Sequence, residues 1–169
     1  MTVETTITDT KTPPAKPARV RKPRAGATNV LLVGYGVLVP LVAMAMVIVM
    51  TYPNAGADAV LKVEITYAAT LLSFLGGIRW GIALMAGQTH LHFRPLVFVT
   101  LVLPLAWAIL FMSPVIALPA LMAGYMLIAF GERMGKKSPV PDWYHRLLVP
   151  FTVMVEIALG LSLLVILGT

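Results

Sequence analysis

The stretch Val30–Thr51, VLLVGYGVLVPLVAMAMVIVMT, decides the class of this protein. It carries no charged side chain and matches the roughly 17–25 apolar residues needed to cross a hydrocarbon core of about 30 Å. Four further apolar runs follow, at about Val60–Ala86, Pro95–Met112, Pro114–Phe130 and about Leu147–Leu167. Short polar gaps separate them, which is the pattern of membrane spans rather than of one large core. Composition agrees: of 169 residues, 59% are hydrophobic and 12% charged, against about 25% charged in an average soluble domain. Mean hydropathy is +0.88. Such a chain cannot cover a water-facing surface. The expectation is an all-α polytopic membrane protein: residues 28–169 form a bundle of about five transmembrane helices, and residues 1–27 precede it as a tail.

Prolines punctuate the spans. Pro95 and Pro114 stand where a helix tolerates proline best, in its first turn, and Ser113 is a ready N-cap. The third and fourth spans therefore read as a tight helical hairpin. Both are short, so a re-entrant pair is the competing reading. Pro40 lies near the middle of the first span, and Pro104 and Pro119 inside the hairpin helices are expected to bend them.

The basic residues set an orientation. The net charge of +6 suggests nucleic acid until its location is read, for six of the thirteen Lys and Arg lie in the first 24 residues. Arg94 follows the second span, and Arg133, Lys136, Lys137 and Arg146 lie between the fourth and fifth. The opposite side carries only Lys62. Counted over short loops, this asymmetry places the N-terminus in the cytoplasm and the C-terminus outside, in a bacterial inner membrane. No nucleic-acid partner is expected. The tail itself holds Lys11, Lys16, Arg19, Arg21, Lys22 and Arg24 among four prolines, without apolar periodicity, and is expected to be disordered alone. Its partners would be anionic lipid or an acidic protein face. Ala55-Gly56-Ala57 is similar to a signal-peptidase site, but the apolar run before it is long enough to stay in the membrane.

Charges within spans are costly and so informative. Arg79 near the cytoplasmic end of the second span and Glu156 in the fifth count to similar depths, and a buried ion pair between them is the expectation. The alternative is that Arg79 snorkels to the headgroups. Ala69, Ser73, Gly77 and Gly81, with Gly76 beside them, form a small-residue ridge for close helix packing, within the chain or against another subunit. Trp80, His90, His92, Arg94, Trp143, Tyr144, His145 and Arg146 gather at the cytoplasmic interface. The histidines read as polar loop residues rather than metal ligands, and no metal is expected. Lys62 and Glu64 read as headgroup contacts on the far side. The chain has no cysteine, and no nucleophile–base pair or phosphate-cradling loop is recognisable. No catalytic residue and no cofactor is predicted, although bound lipid, quinone or pigment would suit the setting.

Tyr67-Ala-Ala-Thr-Leu-Leu-Ser-Phe-Leu-Gly-Gly-Ile-Arg-Trp-Gly81 resembles the signature of the transmembrane protein 69-like family, an uncharacterised integral-membrane domain. Pro104-Leu-Ala-Trp107 and Trp143-Tyr144-x-Arg146 are similar to its later landmarks, and the likeness runs from about Val30 to Thr169. It implies a small helical bundle in bacterial and mitochondrial inner membranes, with no established activity. In such relatives the position of Arg79 often holds histidine. The function expected is that of a non-catalytic accessory, structural or assembly subunit of a larger inner-membrane complex, respiratory or photosynthetic, bound to other membrane-protein subunits. The alternatives are a small oligomeric transporter or channel, and a lipid- or quinone-handling protein using the cytoplasmic Arg/His/Trp cluster.

Overall fold

The computed structural model describes residues 32–85, 93–134 and 142–168. Within them the chain is helical, and no strand occurs among the described residues. Five helices follow one another: α1 (Val39–Thr51), α2 (Ala55–Met85), α3 (Phe93–Ile109), α4 (Pro114–Met134) and α5 (Asp142–Leu167).

The first apolar run does not form one continuous helix. A helical turn at 32–36 gives way to a turn at Val37 and Leu38 before α1 begins. Pro40 accounts for the break, because it has no N–H to donate and its ring crowds the carbonyl four residues upstream. It sits instead in the first turn of α1, where the missing donor costs nothing. The Val37 carbonyl, left at the break, accepts a hydrogen bond from the Tyr67 hydroxyl of α2 at 2.7 Å. A local defect in one helix is thus closed by its neighbour, as an apolar solvent requires.

Other boundaries also shift. Helix α2 starts at Ala55, ahead of the expected Val60, and α5 starts at Asp142 rather than Leu147. The segment Asp142–Arg146 is the opening of α5. Helix α3 ends at Ile109, and residues 110–113 turn directly into α4, where Ser113 accepts from the amides of Ile116 and Ala117 through its carbonyl. The tight hairpin is present.

Helix α2 packs against α1, α3 and α4, while α5 packs against α1 and α4. Helices α1, α2, α4 and α5 therefore close a four-membered ring, with α3 lying outside it against α2. Helices α2 and α5 face each other diagonally across the centre. The interior is filled by Leu41 and Ile48 of α1, Leu61, Ala68 and Leu72 of α2, Leu118 and Leu121 of α4, and Val155 and Leu159 of α5. Close approach of α4 to α2 is permitted by Gly124, where an added Cβ would lie 2.8 Å from a Leu72 methyl.

The outer surface is apolar as well. Leu103, Trp107, Phe111 and Leu164 each expose more than 60% of their surface, a distribution that lipid accepts and water does not. Three stretches are long and apolar enough to cross a membrane: Leu32–Thr51, Gly56–Gly81 and Leu147–Leu167. The apolar parts of α3 and α4, Thr100–Ile109 and Pro114–Phe130, are shorter. Hydroxyls on the lipid side are hidden within their own helices, as Thr51, Thr66 and Thr70 each donate to the carbonyl four residues back.

Candidate functional site

Polar groups are few inside this apolar bundle, and two fully buried ones, Glu64 and Ser162, meet between α2 and α5. Glu64 of α2 is fully buried. Its Oε1 accepts a hydrogen bond from the Ser162 hydroxyl of α5 at 3.0 Å, and its Oε2 is buried with no hydrogen-bond partner. Because α2 and α5 are diagonal in the ring, this contact crosses the middle of the bundle. Two more polar groups lie nearer the N-terminal end of α5. Glu156 has a buried Oε1 without a partner, and the buried Thr152 hydroxyl one turn earlier is likewise without one. From α4, the buried Tyr125 hydroxyl donates to the Ala68 carbonyl at 2.7 Å and lies within electrostatic range of Glu156 and Tyr67.

Glu64 stands here for a local reason. Leu61, Glu64, Ile65, Ala68, Leu71, Leu72 and Leu75 recur at spacings of three and four and are all buried, so they make one stripe of the helix. Glu64 belongs to that stripe, whereas Lys62 points away and is exposed. The expectation that both are headgroup contacts is therefore corrected for Glu64. Its spacing from Leu61 and Ala68 was the available signal; Ser162 and Thr152 fall on the matching stripe of α5 with Val155 and Leu159.

The Glu64–Ser162 bond also fixes the register of two antiparallel helices. Glu156, six residues before Ser162, comes level with about residue 70 of α2, and Arg79 is nine residues beyond that level. The axial offset is about 13 Å at 1.5 Å per residue. Glu156 thus neighbours the Tyr125 and Ala68 level, and this register does not bring the carboxyl and Arg79 to the same depth.

The small-residue ridge divides in two. Ala69 and Gly76 are buried against the chain's own helices, and the half-buried Ser73 spends its hydroxyl on the Ala69 carbonyl at 3.0 Å. Gly77 and Gly81 are open among the described residues: a Cβ at either would meet no described atom within 4 Å. Phe74, Trp80 and Leu84 nearby are exposed at 61%, 45% and 48%. Tyr144 is buried near the start of α5. Arg94 falls in α3, and Trp143, His145 and Arg146 in α5, with their side chains outside the described set. His90, His92 and the tail residues Lys11, Lys16, Arg19, Arg21, Lys22 and Arg24 lie outside the described residues. Among the described residues, no three His, Asp or Glu side chains gather as a metal site would require.

A family described as a protein of unknown function (DUF3429) matches residues 27–164, which is nearly the whole of the helical region. No curated protein and no solved structure matches the chain.

Proposed function

The chain belongs to the DUF3429 family, and from that premise we propose that it is a non-catalytic accessory, structural or assembly subunit of a larger inner-membrane complex, respiratory or photosynthetic. The observation that carries this reading is the open half of the α2 ridge. Gly77 and Gly81 leave the backbone bare where no described part of the chain approaches it, and exposed Phe74, Trp80 and Leu84 frame the gap. Without a water-driven hydrophobic effect between helices, close backbone approach is what membrane helices use to associate. The likeness of Tyr67–Gly81 to the transmembrane protein 69-like family adds a setting in bacterial or mitochondrial inner membranes. The proline-rich basic tail suits an extended path along an acidic partner face or anionic headgroups, at about 1 kcal/mol per basic residue near such lipid.

The test is a pair of bulky substitutions, Gly77→Leu with Gly81→Leu. Because neither Cβ touches a described part of the chain, the isolated protein is expected to keep its thermal stability within about 0.5–1 kcal/mol, glycine replacement in a helix being neutral to favourable. Blue-native electrophoresis of mildly solubilised membranes is expected to show the natural chain in one large complex and the double variant released from it. A variant that stays in the complex at full occupancy removes the α2 face as the contact. Deleting residues 2–24 while leaving a short basic stub tests the tail in the same gel.

The proposed orientation is N-terminus cytoplasmic and C-terminus outside, supported by the Lys and Arg asymmetry. Alkaline phosphatase fused after Thr169 is then expected to be active, and a cytoplasmic reporter at the same point silent. The reverse pattern overturns the orientation.

A second reading, a small oligomeric transporter or channel, is favoured by one observation: the Glu64–Ser162 pair at the ring centre with Glu156 and Thr152 along the same helix. A small homo-oligomer in the native gel, with no larger band, would select it.

A further inference from the structure

We propose that Glu64 is an intramembrane proton-binding site, holding its acid proton on Oε2 while the Ser162 hydroxyl holds Oε1. The site is independent of which partner the α2 face docks to.

Three observations carry it. Glu64 is fully buried, and only one of its two oxygens is hydrogen-bonded. A carboxylate presents about four acceptor positions and no donor. A charged Glu64 with a single hydrogen bond would be among the most costly groups an apolar bundle can enclose. A carboxylic acid needs far less there: its carbonyl oxygen takes the serine hydrogen bond, and its own hydrogen sits on the other oxygen.

The second observation is the absence of a counter-charge among the described residues around it. Helix α1 has no ionisable side chain over Val39–Thr51, and α3 has none over Thr100–Ile109. Over Pro114–Phe130, α4 carries only the Tyr125 hydroxyl, which is donated to the Ala68 carbonyl. Over Leu147–Leu167, α5 carries only Glu156, another acid. On its own helix, Asp58 and Lys62 are exposed, and Lys62 lies on the opposite side of the helix from the buried stripe. Arg79 is fifteen residues further along α2, more than about 20 Å away at 1.5 Å per residue. The charge a carboxylate needs beside it is thus supplied by a proton.

The third observation is that the site is built and not incidental. Ser162 lies on the diagonal helix and is itself fully buried, so two helices that barely meet elsewhere are joined at this point. The further unpartnered oxygens of Glu156 and Thr152 on α5 are positions at which a water admitted to the ring would find acceptors or a donor. Release is a simple deprotonation: the O–H bond at Oε2 breaks, the electron pair stays on the carboxylate, and the proton leaves on water. Formation is the reverse.

The experiment uses the full chain in detergent micelles. Infrared spectra in H2O and D2O are expected to show the carbonyl stretch of a protonated carboxylic acid, shifted down by deuteration. Glu64→Gln is expected to lose one component of that band, while Glu156→Gln retains it. Gln keeps the acceptor for Ser162, so the fold is preserved if the native group is neutral. Ser162→Ala is expected to move the same component to higher wavenumber, because the hydrogen bond to the carbonyl is gone. Dicyclohexylcarbodiimide, which adds to protonated carboxyls in apolar surroundings, is expected to label Glu64 in the natural chain and to lose that label in Glu64→Gln. An unchanged carbonyl region in Glu64→Gln overturns the proposal. If that variant does not fold, an unshifted band in Ser162→Ala together with no carbodiimide adduct at Glu64 overturns it equally. Neither readout involves a partner complex, so failure here leaves the accessory-subunit reading untouched.

Discussion

Tyr125→Ala is expected to destabilise the bundle by on the order of 3 kcal/mol, the lower end of what loss of a fully buried aromatic costs. Tyr125 is completely buried in α4, and its hydroxyl reaches the Ala68 carbonyl of α2 at 2.7 Å. Two losses combine when it is truncated. The ring's contacts disappear and leave a void that close-packed neighbours fill only in part. The hydrogen bond between α4 and α2 goes with it. The value sits at the low end because lipid is as apolar as the core, so transfer from water contributes little and the cavity supplies most of the cost. Tyr125→Phe separates the two parts, with an expected cost of about 1 kcal/mol for the hydrogen bond alone. Denaturation of the purified protein in mixed micelles measures both. An unchanged midpoint for the alanine variant would mean that Tyr125 is not a core residue.

The helical architecture was legible because apolar runs, proline positions and basic flanks all reflect one-dimensional rules. Val30–Thr51 reads as a span from its letters, and so does the hairpin from Pro95, Ser113 and Pro114. What letters do not carry is three-dimensional register. The depth of Glu156 is counted inward from Leu147, whereas α5 begins at Asp142, five residues earlier. Glu64 was misplaced for a different reason. Two charges separated by one residue look like a membrane edge, and only the spacing from Leu61 to Ala68 says that they point to opposite sides. The small-residue ridge was seen as one face. It divides because residues four apart drift by about 40° per step around an α-helix: Ala69 and Gly76 meet α2's neighbours, whereas Gly77 and Gly81 have turned outward.

Gly124 and Leu72 are expected to be energetically coupled, and their double-mutant cycle tests the packing of α4 on α2 directly. A Cβ at position 124 would lie 2.8 Å from the Leu72 Cδ2 methyl, closer than two carbons approach without displacement. Leu72 has a flexible end, but it is wholly buried, and in a close-packed interior a shift of its methyl displaces the neighbours too. Gly124→Ala is therefore expected to cost about 1–3 kcal/mol through overpacking. Leu72→Ala alone is expected to cost about 2–5 kcal/mol through the cavity it leaves. In the double variant the new methyl at 124 enters the space that Leu72 vacated. Each change then relieves part of the other, and the combined loss is expected to fall short of the sum by on the order of 1 kcal/mol. The comparison is made with all four proteins unfolded in the same mixed micelles. Strict additivity would mean that the two residues do not touch, and the approach of α4 to α2, together with the Tyr125–Ala68 bond that depends on it, would have to be redrawn.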